Sequence, residues 1–151
     1  DSTYTDAWFG RAALNLRMAR YDNAEADALK LLALQPDNLQ GKYVLSLIYS
    51  NTGRPAEAIP MFTALIDDKP QAPLYADRAL CRLQLDELPE AADDIARGLE
   101  LNPDEAELYY CRAILNLRRF REEDARKDAD KAIELGMYAP VVNALWGGKS
   151  K

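Results

Sequence analysis

Four small residues, Ala24, Ala58, Ala91 and Ala125, recur at intervals of 34, 33 and 34 residues. A second column, Ala12, Ser46, Ala79 and Ala113, keeps the same beat. So do Trp8, Lys42, Tyr75 and Tyr109, and so do Pro36, Pro70 and Pro103, with Met137 closing that last column. One column would mean little in a chain where alanine is common. Four columns in one register mean that a single supersecondary unit is written four times. Such units bury their apolar faces by stacking on neighbours.

Within each unit, apolar positions fall twice at helical spacing. In the first, Trp8, Ala12, Asn15 and Leu16 form one stripe, and Ala24, Ala28, Leu31 and Leu32 form another. Between them, Arg20-Tyr21-Asp22-Asn23 breaks the pattern. Steps of three and four keep side chains on one helix face. Each unit is therefore predicted as two helices joined by a tight turn: 5–18 and 22–34, 39–52 and 55–67, 73–85 and 88–100, 105–119 and 122–135.

The punctuation agrees. Pro55 and Pro89 sit near the starts of second helices, where a missing N–H costs little. Gly53 supplies a turn, and Pro36, Pro70 and Pro103 mark the unit ends by pushing the preceding residue out of helical geometry. Asp37-Asn38 and Asp104-Glu105 place acceptors and negative charge near the next N-termini. Pro60 falls inside a second helix and predicts a shifted start or a mild kink. The small columns lie where two antiparallel helices must approach closely.

This pattern resembles the tetratricopeptide repeat family. The second unit matches well, with Leu45, Ser46, Tyr49, Gly53, Ala58, Phe62 and Pro70; the other three carry Arg11, Arg78 and Arg112 where the family has leucine. The resemblance covers 5–137. It implies an all-α solenoid of four stacked helix-turn-helix repeats, at about 5–37, 39–71, 72–105 and 106–137, forming a right-handed superhelix within one domain, 1–146. The third unit arrives one residue early, which we assign to the short loop from Pro70 to Pro73. In 138–146, Pro140 can open a helix, and Val141, Val142, Leu145 and Trp146 give it an apolar side. That segment reads as a cap on the last repeat, or alternatively as the first helix of a further unit. Residues 147–151 read as a frayed tail.

Sixteen residues after each of the three arginines stands an aspartate: Arg11 and Asp27, Arg78 and Asp94, Arg112 and Asp128. In the second unit both positions change together, to Leu45 and Met61. Both are charged or both are apolar, which reads as a structural ion pair between the two helices of a unit, the planar guanidinium facing a carboxylate.

The formal net charge of −6 argues against nucleic acid and anionic membranes, whose affinity comes from clustered Lys and Arg. The only basic run, Arg118-Arg119-Phe120-Arg121, is followed at once by Glu122-Glu123-Asp124 and reads as a charge-balanced turn. No apolar run approaches the roughly 20 residues a bilayer requires. The chain opens Asp1-Ser2-Thr3, read as a processed or truncated start, so no compartment is assigned. There is no histidine, and Cys81 and Cys111 lack metal-ligand spacing. Each cysteine reads as a small buried apolar residue, with a disulfide between them the lesser alternative. With no Gly-rich phosphate loop and no general base tuned near neutrality, neither an enzyme nor a cofactor is expected.

In the family, the first helices line a concave side that commonly binds peptides. Carried over, the resemblance implies a partner groove of Phe9, Ala13, Leu16 and Arg17, then Tyr43, Leu47, Ser50 and Asn51, then Ala76, Leu80, Leu83 and Gln84, and finally Tyr110, Ile114, Leu117 and Arg118. Leu16, Leu83 and Leu117 could equally be packed between units. The expected partner is a protein or peptide, with a homodimer or an internally filled groove in a longer architectural protein as the alternative. Members that clamp a C-terminal carboxylate use Lys, Arg and Asn at positions where this chain has Asp77, Glu107 and apolar residues, so that activity is not expected.

Overall fold

The computed structural model describes residues 2–147, with side chains from residue 4 onward. Of the anticipated frayed tail, 148–151 lie outside the described residues. Nine α-helices and no strands are found among the described residues. They form two compact units that divide between residues 69 and 70, each built from two helix hairpins.

The first unit holds α1 (Ser2–Arg17), α2 (Tyr21–Leu34), α3 (Leu39–Asn51) and α4 (Pro55–Asp68). The second holds α5 (Ala72–Gln84), α6 (Leu88–Leu101), α7 (Ala106–Arg118), α8 (Glu122–Glu134) and the short α9 (Ala139–Asn143), followed by a 3-10 turn, Ala144–Trp146. Consecutive helices pair: α1 with α2, α3 with α4, α5 with α6 and α7 with α8. The connection 69–71 is one residue shorter than 35–38 and 102–105, which accounts for the early third repeat.

The small columns are packing necessities. Ala12, Ala24, Ser46, Ala58, Ala79, Ala91, Ala113 and Ala125 are all fully buried at the helix crossings. Glycine does the same where one hairpin meets the next. A Cβ on Gly41 of α3 would come within 3.0 Å of Leu32 on α2, and one on Gly98 of α6 within 2.6 Å of Leu108 on α7.

Pro60 does not shift its helix. α4 starts at Pro55 and runs through Pro60. Proline removes the N–H that would have met the Ala56 carbonyl. Both residues are exposed, so water can satisfy that oxygen. Each hairpin turn places one residue in left-handed geometry: Ala19 (φ 54°), Gly53 (φ 72°), Asp86 (φ 61°) and Phe120 (φ 58°). The following N–H then reaches back five residues, as in Arg20 to Asn15 (2.9 Å), Arg54 to Tyr49 (2.8 Å), Glu87 to Arg82 (2.9 Å) and Arg121 to Asn116 (2.8 Å). These bonds satisfy carbonyls left over at the end of each first helix.

In the second unit, Leu83, Ile95, Leu108, Cys111 and Leu115 form the main core. Val142 of α9 is fully buried against Ala113, Ala129 and Ala132, with Met137, Leu145 and Trp146 packed around it. The segment after α8 thus covers the last hairpin. Burying a side chain of this size contributes about 1.5–3 kcal/mol. Both cysteines are buried, and no disulfide joins them.

Candidate protein-interaction groove

Two sets of side chains project from the first helices: arginines turned toward the second helix of their own hairpin, and a face left open. The arginines hold the hairpins in shape. Arg11 grips Asp27 with two bonds, Nε to Oδ2 at 2.7 Å and Nη2 to Oδ1 at 2.6 Å. Arg78 grips Asp94 (3.0 and 2.6 Å), and Arg112 grips Asp128 (3.0 and 2.7 Å). Asp94 is fully buried, whereas the Arg11 side chain is largely exposed. The Arg11 bonds hold the Asp27 carboxyl below the usual carboxylate range.

Each site has two members that the arginine–aspartate spacing does not announce. One turn beyond the arginine, Asn15, Arg82 and Asn116 also donate to the same aspartates, at 3.4, 2.9 and 3.0 Å. One turn before it, an aromatic ring faces the guanidinium: Trp8 at 4.6 Å, Tyr75 at 5.6 Å and Tyr109 at 5.2 Å, all within cation–π range. The second repeat replaces the whole set, with Lys42, Leu45, Tyr49 and Met61. There Arg54 stacks on Tyr49 at 4.3 Å and bridges Glu25 and Glu57, both at 2.8 Å.

The open face differs between the units. In the first, Phe9, Ala13, Leu16, Leu47 and Ser50 are half-buried, while Arg17, Tyr43 and Asn51 are exposed. In the second, Leu80, Gln84, Tyr110, Ile114 and Arg118 meet around a cavity of about 460 Å³, joined by Leu83, Leu117 and Leu145 of the final turn. Ala76 does not line it. At 1% exposure it belongs to the core, and its carbonyl accepts the Cys111 thiol at 3.6 Å. Leu83 is buried at the cavity floor, while Leu117 is half-buried in its wall. Arg118 pairs with Asp86 at 3.1 Å, both exposed. Leu145 was not among the anticipated lining positions, because nothing in its local sequence says that α9 folds back onto α7.

One turn before Leu80 and Tyr110 lie Asp77 and Glu107. Burial, together with the negative charge of Glu107, pushes the Asp77 carboxyl up to about 6. Glu105 is raised as well, by burial first and then by a hydrogen bond shared with Glu107. Burial raises the Cys111 thiol, and the charges of Asp77 and Glu107 add to that. No group of three or more His, Cys, Asp or Glu among the described residues is disposed to hold a metal ion. None of the described helices is long and apolar enough to cross a membrane.

The tetratricopeptide repeat family model matches residues 9–73. The solved structure of YrrB, titled a tetratricopeptide-repeat protein with an unusual peptide-binding site, superposes with a TM-score of 0.80 at 19% identity, covering 97% of this chain and 76% of that one. Residues 9–73 thus match tetratricopeptide repeats, and the chain has the all-helical fold of tetratricopeptide-repeat proteins. Other solved tetratricopeptide-repeat folds also align over most of this chain. A MamA fragment from Desulfovibrio magneticus RS-1 gives a TM-score of 0.79 at 18% identity, covering 87% of this chain and 75% of that one. A tetratricopeptide repeat protein from Parabacteroides merdae gives 0.74 at 24% identity, covering 95% and 56%. Among curated proteins, the Protein CTR9 homolog of Arabidopsis thaliana is 28% identical over 144 residues, or 91% of this chain. The chain spans only 13% of that relative's length.

Proposed function

We propose that the chain is a non-catalytic interaction module that binds a peptide or helix of another protein in the groove of its second unit. The observation that carries this reading is the open apolar cavity of about 460 Å³ between α5, α7 and the final turn. Hydrophobic side chains left uncovered together usually mark a partner site. Apolar groups of the partner are buried against Leu80, Tyr110, Ile114, Leu117 and Leu145, and Gln84 and Arg118 supply orienting hydrogen bonds. In the first unit Phe9, Tyr43 and Leu47, with Arg17 and Asn51, form a second, more open contact face. The likeness to a fold with a peptide-binding site supports a protein or peptide partner, and the net charge of −6 supports the exclusion of nucleic acid.

The test is a photo-crosslinking amino acid placed at Tyr110, compared with one at Ala96 on the exposed side of α6. In extract from the source cell, a discrete adduct is expected at position 110 and not at 96. It should vanish in an Ile114→Glu variant of unchanged helicity. Equal crosslinking at both positions overturns the assignment.

A second reading, an architectural or self-associating segment, rests on a different observation. Tyr4, Ala7 and Leu14 make an exposed stripe along α1, which Met18 extends just past its end. Leu14 is 54% exposed, while its repeat equivalents Ile48 and Leu115 are 0% and 4% exposed. Light scattering across a concentration range tests this reading. A dimer dispersed by Leu14→Glu supports it, and a monomer throughout removes the self-association.

A further inference from the structure

The groove of the second unit is chemically lopsided along its length. α5 and α7 lie side by side, with Ala76 opposite Cys111 toward one end and Gln84 beside Arg118 at the other. Between these levels the walls are apolar. Toward the first end, on the same helix stripes as Leu80 and Tyr110, stand Asp77 and Glu107. Asp77 is half-buried, and among the described residues nothing donates a hydrogen bond to it. No Lys or Arg among the described residues pairs with Asp77, Glu105 or Glu107, although twelve other ion pairs are formed. The fold therefore places the half-buried Asp77 and the exposed Glu107, whose charges repel, each one turn from a residue that lines an open apolar cavity. A cation brought by a partner relieves that repulsion and regains the attraction that desolvation strengthens.

We propose that the second-unit groove takes a peptide segment bearing a Lys or Arg side chain two or three residues from a large apolar one, with the cation on Asp77 and Glu107 and the apolar side chain in the cavity. This rests on the groove being the binding surface. The spacing follows from the helices. Leu80 and Gln84 lie three and seven residues beyond Asp77, or roughly 5–10 Å along the axis at about 1.5 Å per residue. An extended peptide covers that span in two or three residues at about 3.3 Å each. Complementary charge at one end also sets the direction in which the segment lies.

The test is selection of a random dodecapeptide phage library on the intact chain. It is run in parallel on an Asp77→Asn/Glu107→Gln variant and on a Leu80→Glu/Ile114→Glu variant, with folding checked by circular dichroism. Selected peptides from the intact chain should place Lys or Arg two or three positions from Leu, Ile, Phe or Trp. Those from the neutralised variant should keep the apolar residue and lose the basic one, and the Leu80/Ile114 variant should select nothing. A synthetic winner should bind the neutralised variant about fivefold or more weakly in 50 mM salt, with the difference shrinking in 300 mM salt. Equal basic content from the intact and neutralised chains overturns the charge assignment while leaving the groove standing. Winners indifferent to Leu80→Glu/Ile114→Glu, or none at all, overturn both. A chain that dimerises through this face and selects peptides only when dilute makes a second copy the occupant, and overturns the proposal.

Discussion

Arg78, Arg82 and Asp94 offer a quantitative test, because the second repeat shows what a hairpin of this fold does without them. Asp94 is fully buried and takes Arg78 at 2.6 and 3.0 Å and Arg82 at 2.9 Å. Replacing Asp94 with Met leaves two guanidiniums facing an apolar crossing, a loss of roughly 3–5 kcal/mol. Arg78→Leu is milder, about 2 kcal/mol, because Arg82 still covers one carboxylate oxygen. The double variant copies Leu45 and Met61. It leaves only Arg82, whose Nη1 also has the Glu90 carbonyl at 3.1 Å, and should cost about 2 kcal/mol in total. Adding Arg82→Tyr, after Tyr49, should recover part of that. The coupling between positions 78 and 94 is then about 3–5 kcal/mol. Urea unfolding followed by circular dichroism measures it, with constant m showing that the same cooperative unit melts. Single effects that add to within about 0.5 kcal/mol would refute the view that these groups act as one contact.

Asp77→Asn tests the strained carboxyl. A group raised from 3.8 to about 6 by folding binds its proton more tightly in the native state, so stability falls as pH rises through that window and is flat above it. The variant should gain about 1–3 kcal/mol at pH 7 and lose that slope in urea midpoints measured from pH 4 to pH 7. Asp27, held down by Arg11, has the opposite sign: its contribution fades as pH drops below 3.8, and Asp27→Asn should remove that acid limb in midpoints taken from pH 2 to pH 4. Phe120 sits at φ 58° with 96% of its surface exposed. Phe120→Gly should therefore stabilise by about 0.5–1 kcal/mol, read as a small rise in Tm. Cys81 and Cys111 should be silent to Ellman's reagent in the native chain and both should react in urea, since burial excludes the reagent and raises the Cys111 thiol.

The helices were legible because repetition multiplies a weak signal. The end of α2 at Leu34, the start of α4 at Pro55 and the starts of α6 and α8 fall within a residue of where periodicity and proline put them. The arginine–aspartate spacing was visible for the same reason, since the second repeat loses both partners at once. Contacts made by residue types with several roles were harder to read. Asn15 and Asn116 sit in a mostly apolar stripe, and only a folded hairpin shows that they donate to Asp27 and Asp128. Left-handed geometry at Ala19, Asp86 and Phe120 is invisible because none is glycine; only Gly53 at that column betrays it. In the groove, Leu80, Gln84, Tyr110, Ile114 and Arg118 came from repeat position alone. Ala76 sank into the core because α7 leans on it, and Leu145 arrived from outside the repeat pattern altogether.

The short helix after the fourth hairpin and the turn that ends it share two jobs. Val142 plugs the core, and three residues later Leu145 forms one wall of the cavity. Loosening that plug would not only soften the fold. It would also move a wall of that cavity, so a substitution at position 142 would reshape the proposed groove without touching any residue that lines it.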